Sequence, residues 1–237
     1  MAQPQALLCK GCWQNLHVPM VLRGPLSVPF RVVGLKPSRM NPNTCTFCEL
    51  MFSRVMKATK ITIDATILFA DLRAYTKLSQ EISPAEMGNL LDLFYDECAA
   101  AIWEHDGLLN KTIGDAVMAV FNFPIKQGDH ARQALLAARE IQQRLAVRRK
   151  ETGLEFGVGI GLQCGEVSFG EFGRSHRDLT AIGTVVNIAA RVQAVAEPGE
   201  ILVTEAMRER VGDALAEGAA RPYELKGFDQ PVMLYRA

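Results

Sequence analysis

From position 61 onward, apolar residues fall alternately into short continuous runs and into stripes with helical spacing. Residues 65–70 are apolar except for Thr66, which is typical of a strand buried on both faces. A helix start follows, in which Ser83 suits the N-cap, Pro84 the first turn and Glu86 the capping box. The pattern therefore predicts a buried strand and then a long helix. The apolar stripe of that helix consists of Met87, Leu90, Leu91, Phe94, Cys98 and Ile102.

The rest of the chain continues this alternation of strands and helices. Two strand-like runs, 108–113 and 116–121, flank Gly114 and Asp115, and a Gly-Asp pair in that position predicts a tight hairpin. Strands alternating with helices, together with a hairpin, predict an α/β fold with a mixed sheet. The remaining segments are predicted as a helix over 129–148, strands over 156–164 and 166–170, a helix over 185–195, a strand over 201–204, a short helix, and strands over 223–225 and 232–235.

The first 60 residues have a different character. Residues 7–48 are rich in proline and lack helical periodicity, so turns and short extended pieces are expected there. Apolar residues at helical spacing over 47–57 predict a short connecting helix. We therefore divide the 237 residues into a Pro-rich head at 1–48, a connecting helix at 49–60 and an α/β domain at 61–237.

Charge is also divided between these units. Residues 1–60 carry a net charge of about +7 and the remainder about −7. A basic head suits contact with a nucleic acid or with the acidic body of the same chain; no aromatic-basic motif supports the nucleic acid, which makes it the weaker alternative. No apolar run approaches the roughly eighteen residues of a membrane span, and the N-terminus lacks the features of a secretory signal. We expect a cytoplasmic protein without a membrane span.

Four of the six cysteines lie in the head and form two C-x2-C pairs, Cys9 with Cys12 and Cys45 with Cys48. In a reducing compartment such pairs are more often metal ligands than disulfides, and four thiolates suit a structural Zn²⁺. The gap between the pairs is longer than in the common zinc patterns, and an iron–sulfur centre or four metal-free cysteines are the alternatives. His17 is a further candidate ligand.

Two aspartates stand where strands end. Asp71 directly follows the buried strand, and Asp115 lies at the tip of the predicted hairpin. If the hairpin pairs beside that strand, the two carboxylates meet at one edge of the sheet. Carboxylates there suit Mg²⁺, and two such ions can activate an attacking oxygen and stabilise a leaving one. On spacing alone, the simpler interpretation is that each aspartate ends a strand or fills a turn.

Four sequence segments favour the metal-binding interpretation of the two aspartates over the simpler one. They are FADLRAYT at 69–76, NKTIGDAVMAVF at 110–121, GTVVNIAAR at 183–191 and ELKG at 224–227. In this order they resemble the motifs of the class III adenylate and guanylate cyclase catalytic domain, and the resemblance covers about 61–237. It implies the class III cyclase-type α/β fold, a ferredoxin-like-derived mixed sheet with flanking helices, joined here to a small four-cysteine metal-binding head.

The resemblance also implies a reaction, the conversion of ATP to 3′,5′-cyclic AMP and pyrophosphate with two Mg²⁺ or Mn²⁺ ions per active site. The family takes the metal-binding aspartates from one subunit and the remaining site residues from the other, which implies a homodimer with two sites. The roles carried over are metal binding for Asp71 and Asp115, adenine contact for Lys111 and Thr180, ribose orientation for Asn187, α-phosphate contact for Arg191, and contact with the β- and γ-phosphates for Lys226.

The expectation of ATP depends on Lys111. A lysine donates hydrogen bonds but never accepts them, and adenine offers an acceptor where guanine offers an N–H donor. Thr180 stands where many members of the family have aspartate, and it matches a subgroup that resembles the bicarbonate-responsive cyclases. The alternatives are a guanylate cyclase, a nucleotide-sensing dimer without chemistry, and a zinc-containing nucleic-acid-binding protein whose cyclase-like body only dimerises it.

Overall fold

The computed structural model describes residues 7–73, 75–173, 178–215 and 220–237, so Ala74 of the first motif lies outside the described residues. Within these ranges one sheet is formed by strands β1 Ile61–Arg73, β2 Leu108–Ile113, β3 Ala116–Phe121, β4 Gly157–Phe172, β5 Asp178–Ile182, β6 Ile201–Thr204, β7 Arg221–Tyr223 and β8 Val232–Arg236. The helices are α1 Lys10–Leu16, α2 Val28–Val32, α3 Thr46–Ala58, α4 Tyr75–Glu81, α5 Pro84–Glu104, α6 His130–Thr152, α7 Thr184–Val195 and α8 Glu205–Val211.

The sheet is mixed, as predicted. Its strand order is β2-β3-β1-β4-β6-β8-β7, and β5 pairs with the C-terminal part of β4. Only β4 and β6 are parallel among the described strand pairs. The central strands β1 and β4 pair along the whole length of β1, from Ile61 opposite Phe169 to Arg73 opposite Gly157.

Helices cover both faces of the sheet. Alternate residues of β1 point to opposite faces, so Leu68 packs with α5, α6 and α8, while Ile67 packs with α3 and α7. Both side chains are completely buried, which explains the almost continuous apolar run in this strand. The predicted capping box of α5 is present, with Ser83 and Glu86 exchanging hydrogen bonds. Burying each large core side chain, such as Phe94, contributes roughly 1.5–3 kcal/mol.

One strand replaces two predicted ones. Residues 157–172 form the single strand β4, whereas strands over 156–164 and 166–170 were expected, which was wrong. Gly165 interrupts the pattern with φ +148°, a conformation that glycine adopts readily. The pairing with β1 continues on both sides of it, from Thr66 opposite Cys164 to Asp64 opposite Glu166. Pairing with β1 therefore keeps β4 continuous at Gly165, a position where the sequence alone suggests a turn.

Other differences concern short elements. The sequence did not predict α4 or β5, and β7 begins at Arg221 where a strand over 223–225 was expected. In the head, where turns and short extended pieces were expected to dominate, the short helices α1 and α2 also form. The N-cap of α1 is Cys9, whose Sγ accepts a hydrogen bond from the Cys12 N–H at 3.3 Å. The helix predicted over 47–57 is present as α3, and its N-cap is Cys45.

The head packs against the corner between α5 and β2. Lys10 forms an ion pair with Asp106, and the Asn43 amide donates to Asp106 Oδ1 at 2.8 Å. Asn41 Nδ2 donates to the Gly107 carbonyl at 2.8 Å, and Trp103 Nε1 donates to the Met40 carbonyl at 2.9 Å. A basic residue of the head thus contacts an acidic residue of the body, five residues before Lys111 in the chain.

Within the described ranges, each helix is too short or too polar to cross a bilayer.

Candidate active site

Asp71 and Asp115 lie together at one edge of the sheet. Asp71 is opposite Ala116 in the pairing of β1 with β3, and the Leu72 N–H donates to the Asp115 carbonyl at 3.0 Å. Gly114 has φ +59°, which lets the hairpin turn tightly at this point. Burial raises the pKa of Asp71, and the nearby charge of Asp115 raises it further. The predicted hairpin therefore brings the two carboxylates close enough for the charge of Asp115 to raise the pKa of Asp71.

Arg73 and Gln193 attach this acidic pair to α7. Arg73 forms an ion pair with Asp71 and donates to the Gln193 carbonyl, and its Nε donates to the Ala196 carbonyl at 2.9 Å. Arg73 and a hydrogen bond from Gln193 oppose the rise in the pKa of Asp71. The C-terminal end of α7 is thus fixed directly beside the carboxylates.

The close approach of α7 to the sheet depends on Gly161 of β4. A Cβ at this position would lie 2.2 Å from the Gln193 backbone nitrogen and 2.8 Å from the Ala189 carbonyl oxygen. Both atoms belong to the backbone of α7 and cannot rotate away. Glycine at 161 is therefore a geometric requirement for the position of this helix.

The acidic pair fits divalent cations. Two partly buried carboxylates repel each other, and Arg73 forms an ion pair with only one of them. A cation between them would remove the repulsion, and carboxylate oxygens are the ligands that Mg²⁺ and Mn²⁺ prefer. The donor set of Asp71 and Asp115 is thus suited to these metals.

Lys111 and Thr180 lie at a second position, where β2 meets β5. Lys111 forms an ion pair with Asp178 of β5. Thr180 Oγ1 donates to Asn110 Oδ1 at 2.9 Å, and Asn110 Nδ2 donates to the Leu179 carbonyl at 2.8 Å. The structure therefore brings together the two residues expected to contact the purine base.

The third group of candidate residues involves α7. Asn187 and Arg191 belong to this helix, and Lys226 lies in the segment between β7 and β8. Asn187 is exposed, and Arg191 lies one turn further along the same helix. The Arg191 guanidinium lies over the Phe228 ring, with Cζ 5.5 Å from the ring centroid. A Cβ at Gly227, which has φ +81°, would lie 3.1 Å from Arg191 Nη1. Arg191 is therefore next to the segment that carries the exposed Lys226.

In one chain the acidic pair stands apart from the two other groups of candidate residues. Across the described part of the molecule, no hydrogen bond or ion pair joins Asp71 or Asp115 to the other five candidate residues. The acidic pair is linked to α7 through Arg73 and Gln193 instead. The other five are Lys111, Thr180, Asn187, Arg191 and Lys226.

The four cysteines of the head form a buried cluster. Their sulfur atoms lie within 4.8 Å of one another, with Sγ–Sγ distances of 3.6 Å for Cys9–Cys48, 3.5 Å for Cys12–Cys45 and 3.4 Å for Cys12–Cys48. All four are free thiols. Hydrogen bonds from Cys48 and Cys9 lower the pKa of Cys45. His17 is outside the cluster: it ends α1 with φ 55°, and its ring lies near Trp13.

The cluster fits a tetrahedral metal ion. Four sulfurs at about 2.3 Å from a Zn²⁺ ion stand about 3.8 Å apart, close to the observed separations. The N–H groups of Cys12 and Cys48 donate to the sulfurs of Cys9 and Cys45, which favours the thiolate form of both acceptors. The donor set thus fits a structural zinc site.

Sequence reasoning missed four residues of these sites. Arg73 stands two residues after Asp71 in a strand and Gln193 two residues after Arg191, and both positions were inside or beside the quoted motifs. Asp178 stands two residues before Thr180, so strand alternation would have placed both on one face. The fourth is Asn110, which lies in the second motif.

Comparison with known proteins gives the site a family context. The family model for the adenylate and guanylate cyclase catalytic domain matches residues 57–235. An uncharacterized protein of Mycobacterium tuberculosis is 34% identical over 186 residues, 78% of this chain and 44% of that protein. The adenylate cyclase of Anabaena cylindrica is 32% identical over 184 residues, 72% of this chain and 36% of that protein. The chain therefore spans less than half the length of these relatives.

Solved structures agree with this match. The adenylyl cyclase CyaB from P. aeruginosa has a TM-score of 0.69 at 28% identity, covering 75% of this chain and 95% of that one. The guanylyl cyclase Cya2 has a TM-score of 0.70 at 27% identity, covering 75% and 92%. The residues matched by the family model, 57–235, include Asp71 and Asp115. The chain belongs to the class III adenylate and guanylate cyclase catalytic domain family.

Proposed function

We propose that the protein is an adenylate cyclase, which converts ATP to 3′,5′-cyclic AMP and pyrophosphate at the interface of a homodimer. The observation that carries this proposal is the pair of Asp71 and Asp115, two partly buried carboxylates that share one edge of the sheet in a chain of the cyclase family. The related adenylate cyclase of Anabaena cylindrica supports the choice of reaction.

In the proposed reaction the ribose 3′ oxygen attacks the α-phosphorus of ATP. A new P–O bond forms, the bond from the α-phosphorus to the bridging oxygen breaks, and pyrophosphate leaves while the 3′-hydroxyl loses its proton. Divalent cations held by Asp71 and Asp115 would supply positive charge that favours the 3′ alkoxide and the leaving pyrophosphate. The remaining requirement is position, because the attacking oxygen must lie in line with the leaving group.

The residues of α7 meet this requirement in the proposal. Asn187 is exposed one turn before Arg191 and would orient the ribose by hydrogen bonding. Arg191 would bind the α-phosphate, where its planar guanidinium can contact two oxygens as negative charge develops. The Phe228 ring below the guanidinium adds a favourable cation–π contact at this position. Lys226, two residues before Phe228, would bind the β- and γ-phosphates.

Recognition of the base is assigned to Lys111 and Thr180. The Lys111 ammonium can only donate, which suits the N1 acceptor of adenine and not the N1–H of guanine. Thr180 lies in β5 close to Lys111, as the ion pair with neighbouring Asp178 indicates. This pair favours ATP, while the structural similarity to the guanylyl cyclase Cya2 keeps GTP as the second candidate substrate.

The lack of direct polar contacts between the acidic pair and the other candidate residues supports a homodimer. In a single chain no hydrogen bond or ion pair joins the acidic pair to the five other candidate residues, as far as the described residues go. A second copy with twofold symmetry would place the acidic pair of each subunit opposite Lys111, Asn187 and Arg191 of the other. Two active sites would then form together.

The head is proposed to hold one structural Zn²⁺ at Cys9, Cys12, Cys45 and Cys48. The four free, buried thiols and their separations support this choice over a disulfide, whose sulfurs are about 2 Å apart. A small head with little apolar core needs such a crosslink to fold. Its contacts with Asp106 and Gly107 would then hold the corner from which β2 starts.

The activity is tested with purified protein, Mg²⁺ or Mn²⁺, and either ATP or GTP, with cyclic nucleotide and pyrophosphate measured by chromatography. We expect cyclic AMP from ATP and at least tenfold less cyclic GMP from GTP at equal concentrations. Asp71→Ala and Asp115→Ala are expected to remove activity while the protein stays dimeric by light scattering. A folded dimer that forms no cyclic nucleotide with either metal would overturn the proposal, and a preference for GTP would make it a guanylate cyclase.

A further inference from the structure

The strand β2 contains an irregularity at Asn110. Leu109 is opposite Ala119 and Lys111 is opposite Met118, so Asn110 is an extra residue without a partner in β3. Such a bulge turns the side chain of the extra residue away from its regular direction, and bulges are frequent beside active sites. Here the bulge lets two consecutive residues reach β5, because Asn110 contacts Leu179 and Lys111 contacts Asp178.

The orientation of the Asn110 amide follows from its partners. One end of the amide lies 2.8 Å from the Leu179 carbonyl oxygen, which can only accept, so this end is the Nδ2 donor. The other end is therefore the oxygen Oδ1, and it lies 2.9 Å from Thr180 Oγ1. An amide oxygen has no proton, so the hydroxyl of Thr180 must be the donor in this contact.

This contact fixes the polarity of Thr180. A hydroxyl has a single proton, and the two acceptors near it, Asn110 Oδ1 at 2.9 Å and the Ala181 carbonyl at 3.3 Å, both belong to the protein. The side chain is buried to 8% exposure, so bulk water does not compete strongly for the proton. A ligand that reaches Thr180 Oγ1 therefore meets a lone pair and not a donor.

We propose that Asn110 is a specificity-determining positioning residue: by holding the Thr180 proton, it makes Thr180 an acceptor that selects purines with a 6-amino group over purines with a 6-oxo group. The inference rests on the proposed function, since it assigns the base to the position between β2 and β5. An amino group at position 6 would donate to Thr180 Oγ1, whereas an oxo group would face a lone pair. Lys111 supplies the complementary donor.

The test compares kcat/KM for ATP and for inosine triphosphate, which has a 6-oxo group and an N1–H but lacks the 2-amino group of guanine. The ratio of the two values reports discrimination at the Watson–Crick edge alone. In Asn110→Ala the Thr180 hydroxyl loses the nearer of its two acceptors and can turn its proton toward a ligand, so we expect the ratio to fall by about three- to tenfold, the size of one hydrogen bond. Thr180→Val, which removes the hydroxyl at equal volume, should lower it similarly, and Thr180→Ser should preserve it.

Two further variants separate this role from a structural one. Asn110→Asp loses the bond to the Leu179 carbonyl, as Asn110→Ala does, but keeps an oxygen that accepts the Thr180 proton, so it should retain the ratio. Combined with Thr180→Val, the alanine substitution should change the ratio no further, because the two residues act through one hydroxyl. If Asn110→Ala does not fold, Asn110→Leu, which has a similar volume and no acceptor, takes its place.

The outcomes are distinct. A wild type that cyclises ATP, together with an unchanged ratio in Asn110→Ala, would overturn the inference and leave the proposed function intact. An equal loss in Asn110→Asp and Asn110→Ala, or an additive effect in the double variant, would assign Asn110 a structural role and also overturn it. A folded wild type that forms no cyclic nucleotide would overturn the proposed function and the inference together.

Discussion

Lys111 and Asp178 form an ion pair that links β2 to β5 beside the hydrogen bond between Asn110 and Thr180. The Asp178 carboxylate is half exposed, so the pair contributes no more than about 1 kcal/mol to stability. Its expected effect is on the position of the Lys111 ammonium, which is proposed to bind the substrate base.

Replacing Asp178 with asparagine should therefore raise KM for ATP by about two- to fivefold and leave the free energy of unfolding within about 1 kcal/mol of wild type. Steady-state kinetics and urea unfolding measure the two quantities. The control is Glu155→Gln, which changes an exposed acid elsewhere and should alter neither. A hundredfold loss of kcat at constant KM would instead place Asp178 in the chemical step.

The repulsion between Asp71 and Asp115 makes a prediction about stability. With chelator present, Asp115→Asn removes one of two neighbouring charges, so the pKa of Asp71 should fall and the free energy of unfolding should rise by up to about 1 kcal/mol. Activity should fall at least about a hundredfold, because a proposed ligand of the catalytic metal is lost.

Added Mn²⁺ should reverse the order of stabilities. It stabilises wild type by binding the folded state, and Asp115→Asn should show little of this effect. Thermal unfolding with and without Mn²⁺ measures the difference. Suppose instead that the variant is less stable than wild type in chelator by more than about 1 kcal/mol. Asp115 would then be a structural residue, and its repulsion with Asp71 would not dominate its effect on stability.

The cysteine cluster predicts one zinc ion per chain, measured by elemental analysis, and a protein without visible absorption. Cys12→Ser removes one of four thiolates and should abolish stoichiometric zinc and expose the head to proteolysis before residue 60, because structural zinc supplies most of the folding free energy of such small units. Cys98→Ala is the control, since Cys98 is buried in α5 and should leave the zinc content unchanged. Visible absorption with bound iron would identify an iron–sulfur centre instead.

The contact between β4 and α7 can be tested with a matched pair of glycines. Gly161→Ala places a Cβ 2.2 Å from the α7 backbone and should destabilise the protein by about 3 kcal/mol, the upper end of the usual overpacking range, and reduce activity by displacing Arg191. Gly88→Ala, in the exposed part of α5 with open space around it, should stabilise by up to about 1 kcal/mol. Equal effects of the two substitutions on thermal unfolding would contradict the close packing at Gly161.

Local patterns in the sequence were sufficient for most of the fold. The capping box at Ser83, the stripe of α5 and the Gly114–Asp115 hairpin all depend on residues close in the chain, and all are present. The continuity of β4 through Gly165 could not be predicted in this way, because it depends on pairing with β1, about 100 residues earlier. The same holds for β5, which is a strand through its pairing with β4.

The candidate site divides similarly. The meeting of Asp71 and Asp115 could be predicted, since it needs only a hairpin beside a strand. The links of Asn110 to Thr180 and of Lys111 to Asp178 could not, because they depend on a bulge and on a strand that local patterns do not indicate. Arg73 and Gln193 likewise meet only after α7 has packed onto the sheet.

The proposed cyclase site is shared between two copies, so defective copies should complement each other. Asp71→Ala damages the acidic half and Arg191→Ala the other half. When the two inactive variants are combined by co-expression, half of the dimers contain one of each, and one of their two sites is intact. The mixture should therefore form cyclic AMP at about one quarter of the wild-type rate.

The matched control combines Asp71→Ala with Asp115→Ala. Both substitutions damage the same half, so every mixed dimer lacks an intact site and no activity should return. The decisive measurement is the cyclic AMP formation of the two mixtures beside wild type. About one quarter of wild-type activity for Asp71→Ala with Arg191→Ala, and none for the control, is the predicted result. Absence of cyclic AMP in both mixtures, with an active wild type and mixed dimers present, would contradict a site shared between subunits.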